Sequence, residues 1–233
     1  MIESNILFLT AASIGFVHTI IGPDHYLPFI MIGKARSWTL QKTTVITFLC
    51  GVGHVIGSVL LGLIGIALGI TVGFLEEIES TRGDFASWLL IGFGIAYAAW
   101  GLRIGFRAKE HSHGHDHNEK FHHHSHHHLS RHTHIHGNEK SITPWALFVI
   151  FVLGPCEPLI PVLMYPAAQG DWQSLIGVTL VFGFVTISTM TFIVMISYKN
   201  IINLKLGFLE KYTHALAGLI IAISGLTIQL IDL

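Results

Sequence analysis

The sequence predicts an all-α integral membrane protein of six transmembrane helices, arranged as two inverted three-helix repeats. Three observations predict it. Hydrophobic residues make up 51% of the 233-residue chain and charged ones 12%, about half the charged share of an ordinary soluble domain. Six stretches reach the ~20 mostly apolar residues that a span requires. Two proline-broken polar stretches also lie 132 positions apart within that apolar background, from Pro23 to Pro155.

The spans fall at residues 6–32, 43–70, 85–106, 144–168, 175–197 and 206–231. In the first, His18-Thr-Ile-Ile-Gly-Pro-Asp-His25-Tyr-Leu-Pro28 interrupts the helix. Pro23 removes a backbone donor and disfavours helix at Gly22, and Pro28 repeats the effect. Such a break is tolerated at membrane depth only where it is buried in protein or lines a wet cavity. The second span holds Gly51-Val-Gly53-His54-Val-Ile-Gly57, whose small residues suit close helix contact and turn His54 toward the bundle. The fourth span breaks at Gly154-Pro155-Cys156-Glu157-Pro158, with Pro161 beyond. Aligned on the Gly-Pro pairs, Asp24 stands opposite Cys156, His25 opposite Glu157 and His54 opposite Thr186. The last spans of the two halves share a looser likeness, Gly94 to Gly101 against Gly218 to Gly225. Three spans per repeat is odd, so the second half is inverted, a plan that places sites near the midplane at discontinuous helices.

The chain divides into a first repeat, 1–106, a histidine-rich connection, 107–143, and a second repeat, 144–233. The connection contains His111, His113, His115, His117, His122, His123, His124, His126, His127, His128, His132, His134 and His136. Such a run builds no apolar core but gathers metal ions, so a disordered metal-buffering tether is expected. Lys34, Arg36 and Lys42 mark the first connection, Arg107, Lys109, Lys120, Arg131 and Lys140 the histidine-rich third, and Lys199 and Lys205 the fifth. The second carries Glu76, Glu77, Glu79 and Asp84 against Arg82. The basic connections are expected in the cytoplasm, with both termini outside a cell membrane. The N-terminus lacks the basic start of a cleavable signal peptide, so its apolar stretch is read as a retained span. Cys50 and Cys156 both lie in apolar stretches, which excludes a disulfide framework of the secreted type. Nothing points to nucleic acid, and without a Walker-type motif direct ATP drive is excluded.

Ionisable groups inside spans are expensive and mark function. His18, Asp24, His25 and His54, with Cys156 and Glu157 from the other half, form the expected site. Imidazole and carboxylate together suit Ni, Co or Zn over Mg or Ca.

These residues resemble the nickel/cobalt permease superfamily, in its efflux and UreH-like branches. His18 with Asp24-His25 matches that family's first motif, with a five-residue spacer where four is usual. Gly53-His54 matches the second, with Val55 in place of serine, and Leu153-Gly154-Pro-Cys-Glu157 the third loosely. The resemblance implies a transporter of divalent nickel or cobalt working by alternating access, with a cytoplasmic metallochaperone as a further partner. A second resemblance, sharing the inverted plan, is to the cytochrome-c-biogenesis thiol transporters. These carry a Pro-Cys motif in the first and fourth spans; Pro155-Cys156 retains it, whereas Pro23-Asp24 stands in the first. That resemblance implies transmembrane thiol or electron transfer, which would need Cys50 and Cys156 within disulfide reach of each other. A membrane metal sensor or chaperone is the third reading.

Overall fold

The computed structural model describes residues 2–107, 111–117, 120–126, 142–204 and 207–231. Apolar composition drives nearly all of it into helix. The helices are α1 (Ile2–Ile21), α2 (Leu27–Ala35), α3 (Leu40–Ala67), α4 (Val72–Arg107), α5 (Ile142–Leu153), α6 (Leu159–Ala168), α7 (Trp172–Ile202) and α8 (Thr213–Ile231). Single 3₁₀ segments, Pro23–His25 and Gly207–Tyr212, precede α2 and α8.

Among the described residues, five segments are long and apolar enough to cross a membrane: Ser4–Ile21, Leu40–Ala67, Val72–Arg107, Trp172–Ile202 and Leu209–Leu230. Their outer faces are apolar, with Leu9 69% and Phe184 73% exposed. Such faces suit lipid, and this is a multi-pass membrane protein. The sequence count of six spans differs at one place. The expected first span, 6–32, breaks at its Gly-Pro pair as expected, into α1, which is long enough to span, and the separate nine-residue α2. The expected fourth is α5 and α6, of 12 and 10 residues, each too short to span alone. Proline chemistry explains both. Gly22 is extended (φ −79°, ψ 97°), Pro23 opens the 3₁₀ turn, and Pro28 sits in the first turn of α2, where a missing N–H costs nothing. Pro158 caps α6, and Pro161 falls in its first turn.

The second connection differs as well. It is expected as a polar loop before residue 85, but α4 starts at Val72 and takes Glu76, Glu77, Glu79, Arg82 and Asp84 into helix. Pairing at i and i+3 makes that possible, because Arg82 lies 2.9 Å from Glu79, which is fully buried.

Among the helices, the most extensive packing joins α4 to α8, followed by α1 to α7 and α3 to α7. Between α4 and α8 the backbones nearly touch. A Cβ on Gly94 would lie 2.4 Å from the Ala222 nitrogen, and one on Gly218 would lie 2.3 Å from the Ala98 nitrogen. The glycine likeness between the two halves is therefore a mutual contact surface. One apolar cluster gathers Phe29, Ile32, Cys50, Phe151 and Met190; another gathers Ala11, Cys156, Leu159, Leu163 and Phe182. Polar ties fix α2 to α7, with the Lys34 Nζ donating to the carbonyls of Ile201 (2.5 Å) and Leu204 (2.8 Å).

Within the connection expected to lack regular structure, the backbones of His111–His117 (β1) and Lys120–His126 (β2) pair antiparallel, His113 opposite His124 and His115 opposite His122. His127, His128, His132, His134 and His136 lie outside the described residues.

Candidate functional site

Both helix breaks open onto one small cavity of about 40 Å³, enough for an ion or a few waters. His18, Asp24, His25 and His54 line it, with Phe151, Gly154 and Pro155 opposite and Gly83, Ser87 and Leu90 of α4 beside them.

The local geometry of each break sets the rings. Because Pro23 stops α1, the chain turns back within three residues and puts His25 over His18, ring centroids 4.8 Å apart and edge-on. His25 also meets His54 edge-on at 5.1 Å. His18 and His54 lie parallel at 6.4 Å. Gly22 makes room for this turn, since a Cβ there would lie 2.5 Å from the His25 Nδ1. Gly154 does the same on the other side, where a Cβ would meet the His54 Nδ1 at 3.3 Å.

Hydrogen bonds orient the imidazoles. The His25 Nδ1 lies 3.1 Å from the Gly22 carbonyl and 3.2 Å from the Asp24 Oδ1. Both are acceptors, so this nitrogen carries the proton. The His54 Nδ1 likewise donates to the Phe151 carbonyl at 3.3 Å. The Nε2 atoms of His18, His25 and His54 are buried without a hydrogen-bond partner. Buried polar atoms are normally paired, and three such nitrogens at one cavity form a site built for something else.

Of the six residues expected to ligate, the structure brings three into coordinating proximity: ligand atoms of His18, His54 and Cys156 all lie within 4.8 Å of one another. His25 and Asp24 stand beside them, the His25 Nδ1 donating to the Asp24 Oδ1. Glu157 sits in the turn after Cys156, half-buried, its carbonyl accepting from the Ile160 N–H. Cys156 is fully buried, and both it and Cys50 are free thiols. They belong to different apolar clusters. Thr186, placed opposite His54 by the repeat, points instead at α1, its Oγ1 being 3.0 Å from where a Gly15 Cβ would stand.

Sequence reasoning passed over the Glu79–Arg82 pair beneath this site. The Arg82 Nη2 donates to the Ser58 Oγ (2.5 Å) and to the Gly154 carbonyl (2.9 Å). One guanidinium thus ties α3, α4 and the second break together, satisfying a carbonyl that the broken helix leaves open. The signal was present in Glu79-x-x-Arg82, an i, i+3 ion pair on the flank of an apolar run. A second polar chain leads away from the cavity: the Ser87 Oγ donates to the Gln229 Oε1 (2.6 Å), and the Gln229 Nε2 donates to the Asp84 Oδ1 (2.9 Å).

Comparison with known proteins supplies the family. The family model described as cytochrome C biogenesis protein transmembrane region matches residues 27–227. No curated protein matches the chain, and no solved structure does. The match overturns the expectation of a nickel/cobalt permease and, with it, the expected function of nickel or cobalt transport. The physical reason is that the motifs behind that expectation were histidines near a helix break. A broken helix with buried polar groups is a shared solution to exposing a site within the bilayer, whatever passes through it.

Proposed function

The chain belongs to the cytochrome C biogenesis protein transmembrane region family, and from that premise we propose that it passes thiol/disulfide redox equivalents across the membrane through Cys156. The observation carrying this reading is the position of Cys156, a fully buried free thiol at a helix break, against His18 and His54. It corresponds to the second reading of the sequence, with one change. A pair formed by Cys50 and Cys156 has no support, since the two thiols sit in separate clusters. A single thiol therefore does the work.

The chemistry balances with one cysteine. The Cys156 thiol gives its proton to a neighbouring imidazole, and the thiolate attacks an acceptor protein's disulfide presented from one side. That S–S bond breaks, a mixed disulfide forms on Cys156, and the acceptor's other sulfur leaves as a thiol. A donor dithiol protein on the other side then attacks the Cys156 sulfur and frees the acceptor's second thiol. The donor's second sulfur expels Cys156 and closes the donor disulfide. Two electrons and two protons move from donor to acceptor, and Cys156 ends as it began. The 40 Å³ cavity admits no partner loop, so each exchange requires the two breaks to part. Because the acceptor stays bonded to Cys156 while the donor attacks, both faces must be open at that step; an inverted arrangement of the halves, each with its own break, would give each partner its own approach. The basic connections favour a cytoplasmic histidine hairpin.

The test is reduction of a disulfide reporter protein sealed inside proteoliposomes by an external dithiol protein. Wild type and Cys50→Ser are expected to support it, and Cys156→Ser to fall to the rate of empty vesicles. Undiminished transfer by Cys156→Ser overturns the assignment.

A further inference from the structure

We infer that His18, His54 and Cys156 form a resident metal site that holds a single copper(I) ion. The ion would be a bound occupant, not cargo. Four observations support the site independently of the family. The three ligand atoms lie within 4.8 Å of one another. A metal bonded at about 2.0–2.3 Å spaces three ligands roughly 3.5–4 Å apart, so closure needs movements of an ångström or so. The Nε2 atoms of His18 and His54 are buried and unpartnered, and His54 is 2% exposed. The His54 Nδ1 donates to the Phe151 carbonyl, an outer contact that fixes the tautomer and leaves Nε2 as the ligand. The adjoining cavity has room for an ion.

The donor set selects the metal. Two imidazoles and one thiolate in a three-coordinate array are the ligands of copper sites, and the soft sulfur favours the monovalent ion. Charge agrees within the triad: two neutral imidazoles and one thiolate carry the single negative charge that a monovalent cation neutralises. Zinc would need a fourth ligand, such as a water, beyond what this triad supplies.

This assignment does not rest on the thiol-transfer reading, but it bears on it. Copper on the Cys156 sulfur occupies the electron pair with which that thiol attacks a disulfide, so a loaded site would hold transfer off until the metal is removed.

The test uses the full-length protein in detergent under anaerobic conditions. Copper(I) is added past the capacity of the histidine-rich connection, and X-ray absorption reads the atoms around the metal. That connection contains neither cysteine nor methionine, so a sulfur neighbour reports the buried site. Wild type and Cys50→Ser are expected to show one thiolate per protein, and Cys156→Ser none. His18→Asn, which keeps the sulfur, is expected to lower affinity against a chromophoric copper(I) chelator by about 10-fold or more. A wild-type metal shell of nitrogen alone overturns the site. A sulfur signal lost in Cys50→Ser and kept in Cys156→Ser does the same, as does displacement of the copper by an equal concentration of zinc. Vesicle transfer is measured separately, so the two readings fail or stand independently.

Discussion

At the scale of single residues, Arg82 is the most consequential side chain outside the cavity. It is the counter-ion of a carboxylate with no exposure, and removing one member of a buried pair leaves the other uncompensated. Arg82→Met is expected to destabilise the protein by about 3–5 kcal/mol, read as a lowered unfolding midpoint in detergent. Adding Glu79→Gln should recover much of the loss, and failure of that rescue would mean that the Ser58 and Gly154 contacts matter more than the ion pair. The site residues were unevenly legible. His18, His54 and Cys156 stood out because polar groups in apolar sequence are conspicuous. Asp24 was conspicuous for the same reason, yet it pairs with His25, since its partner depends on how the 3₁₀ turn folds back. Glu79 was missed because it lies among acidic neighbours that read as a loop.

At the scale of elements, the breaks and the glycine surfaces decide the architecture. Gly218→Val would drive a side chain into the Ala98 backbone, where a Cβ alone already falls at 2.3 Å. Forced overpacking costs about 1–3 kcal/mol or more, and α4 against α8 is the most extensive contact in the molecule. Lower thermal stability is expected, whereas Gly92→Val, with nothing within 4 Å, should be close to neutral. Helix α7 starts at an Asp171 cap whose Oδ1 accepts from the Ser174 N–H at 3.1 Å. Hydrogen bonds from the Ser174 side chain and backbone hold that carboxyl below its ordinary value. Its contribution is therefore present above the unfolded-state value and lost as pH falls through the folded one. Asp171→Asn should flatten this acid dependence, measured by stability between pH 6 and the acid limit. Helix positions were readable from composition, but their ends were not. Prolines announced that the first and fourth stretches would break, while apolarity alone could not show that α5 and α6 are each too short to span.

At the scale of the whole molecule, the apolar exterior and five long helices follow from composition, and the family follows from the pattern of residues 27–227. The function expected first did not, because histidines beside a break resemble metal permeases as readily as redox carriers. Orientation remains an expectation of the basic connections. In a Cys50→Ser, Cys156→Ser background, a cysteine at Ser37 should react with a membrane-impermeant maleimide only from the cytoplasmic side. A cysteine at Thr71 should react only from the opposite side. The reverse pattern would invert the molecule.

The Arg82 contact also sets a clock on biosynthesis. Gly154 lies 72 residues beyond Arg82, so at roughly 5–20 residues per second the ribosome needs on the order of 4–14 s to make it. Throughout that delay the nascent first half holds its guanidinium with only Glu79 and Ser58 for company. Glu79 thus serves as escort for a cation that has entered the bilayer before its final acceptor exists.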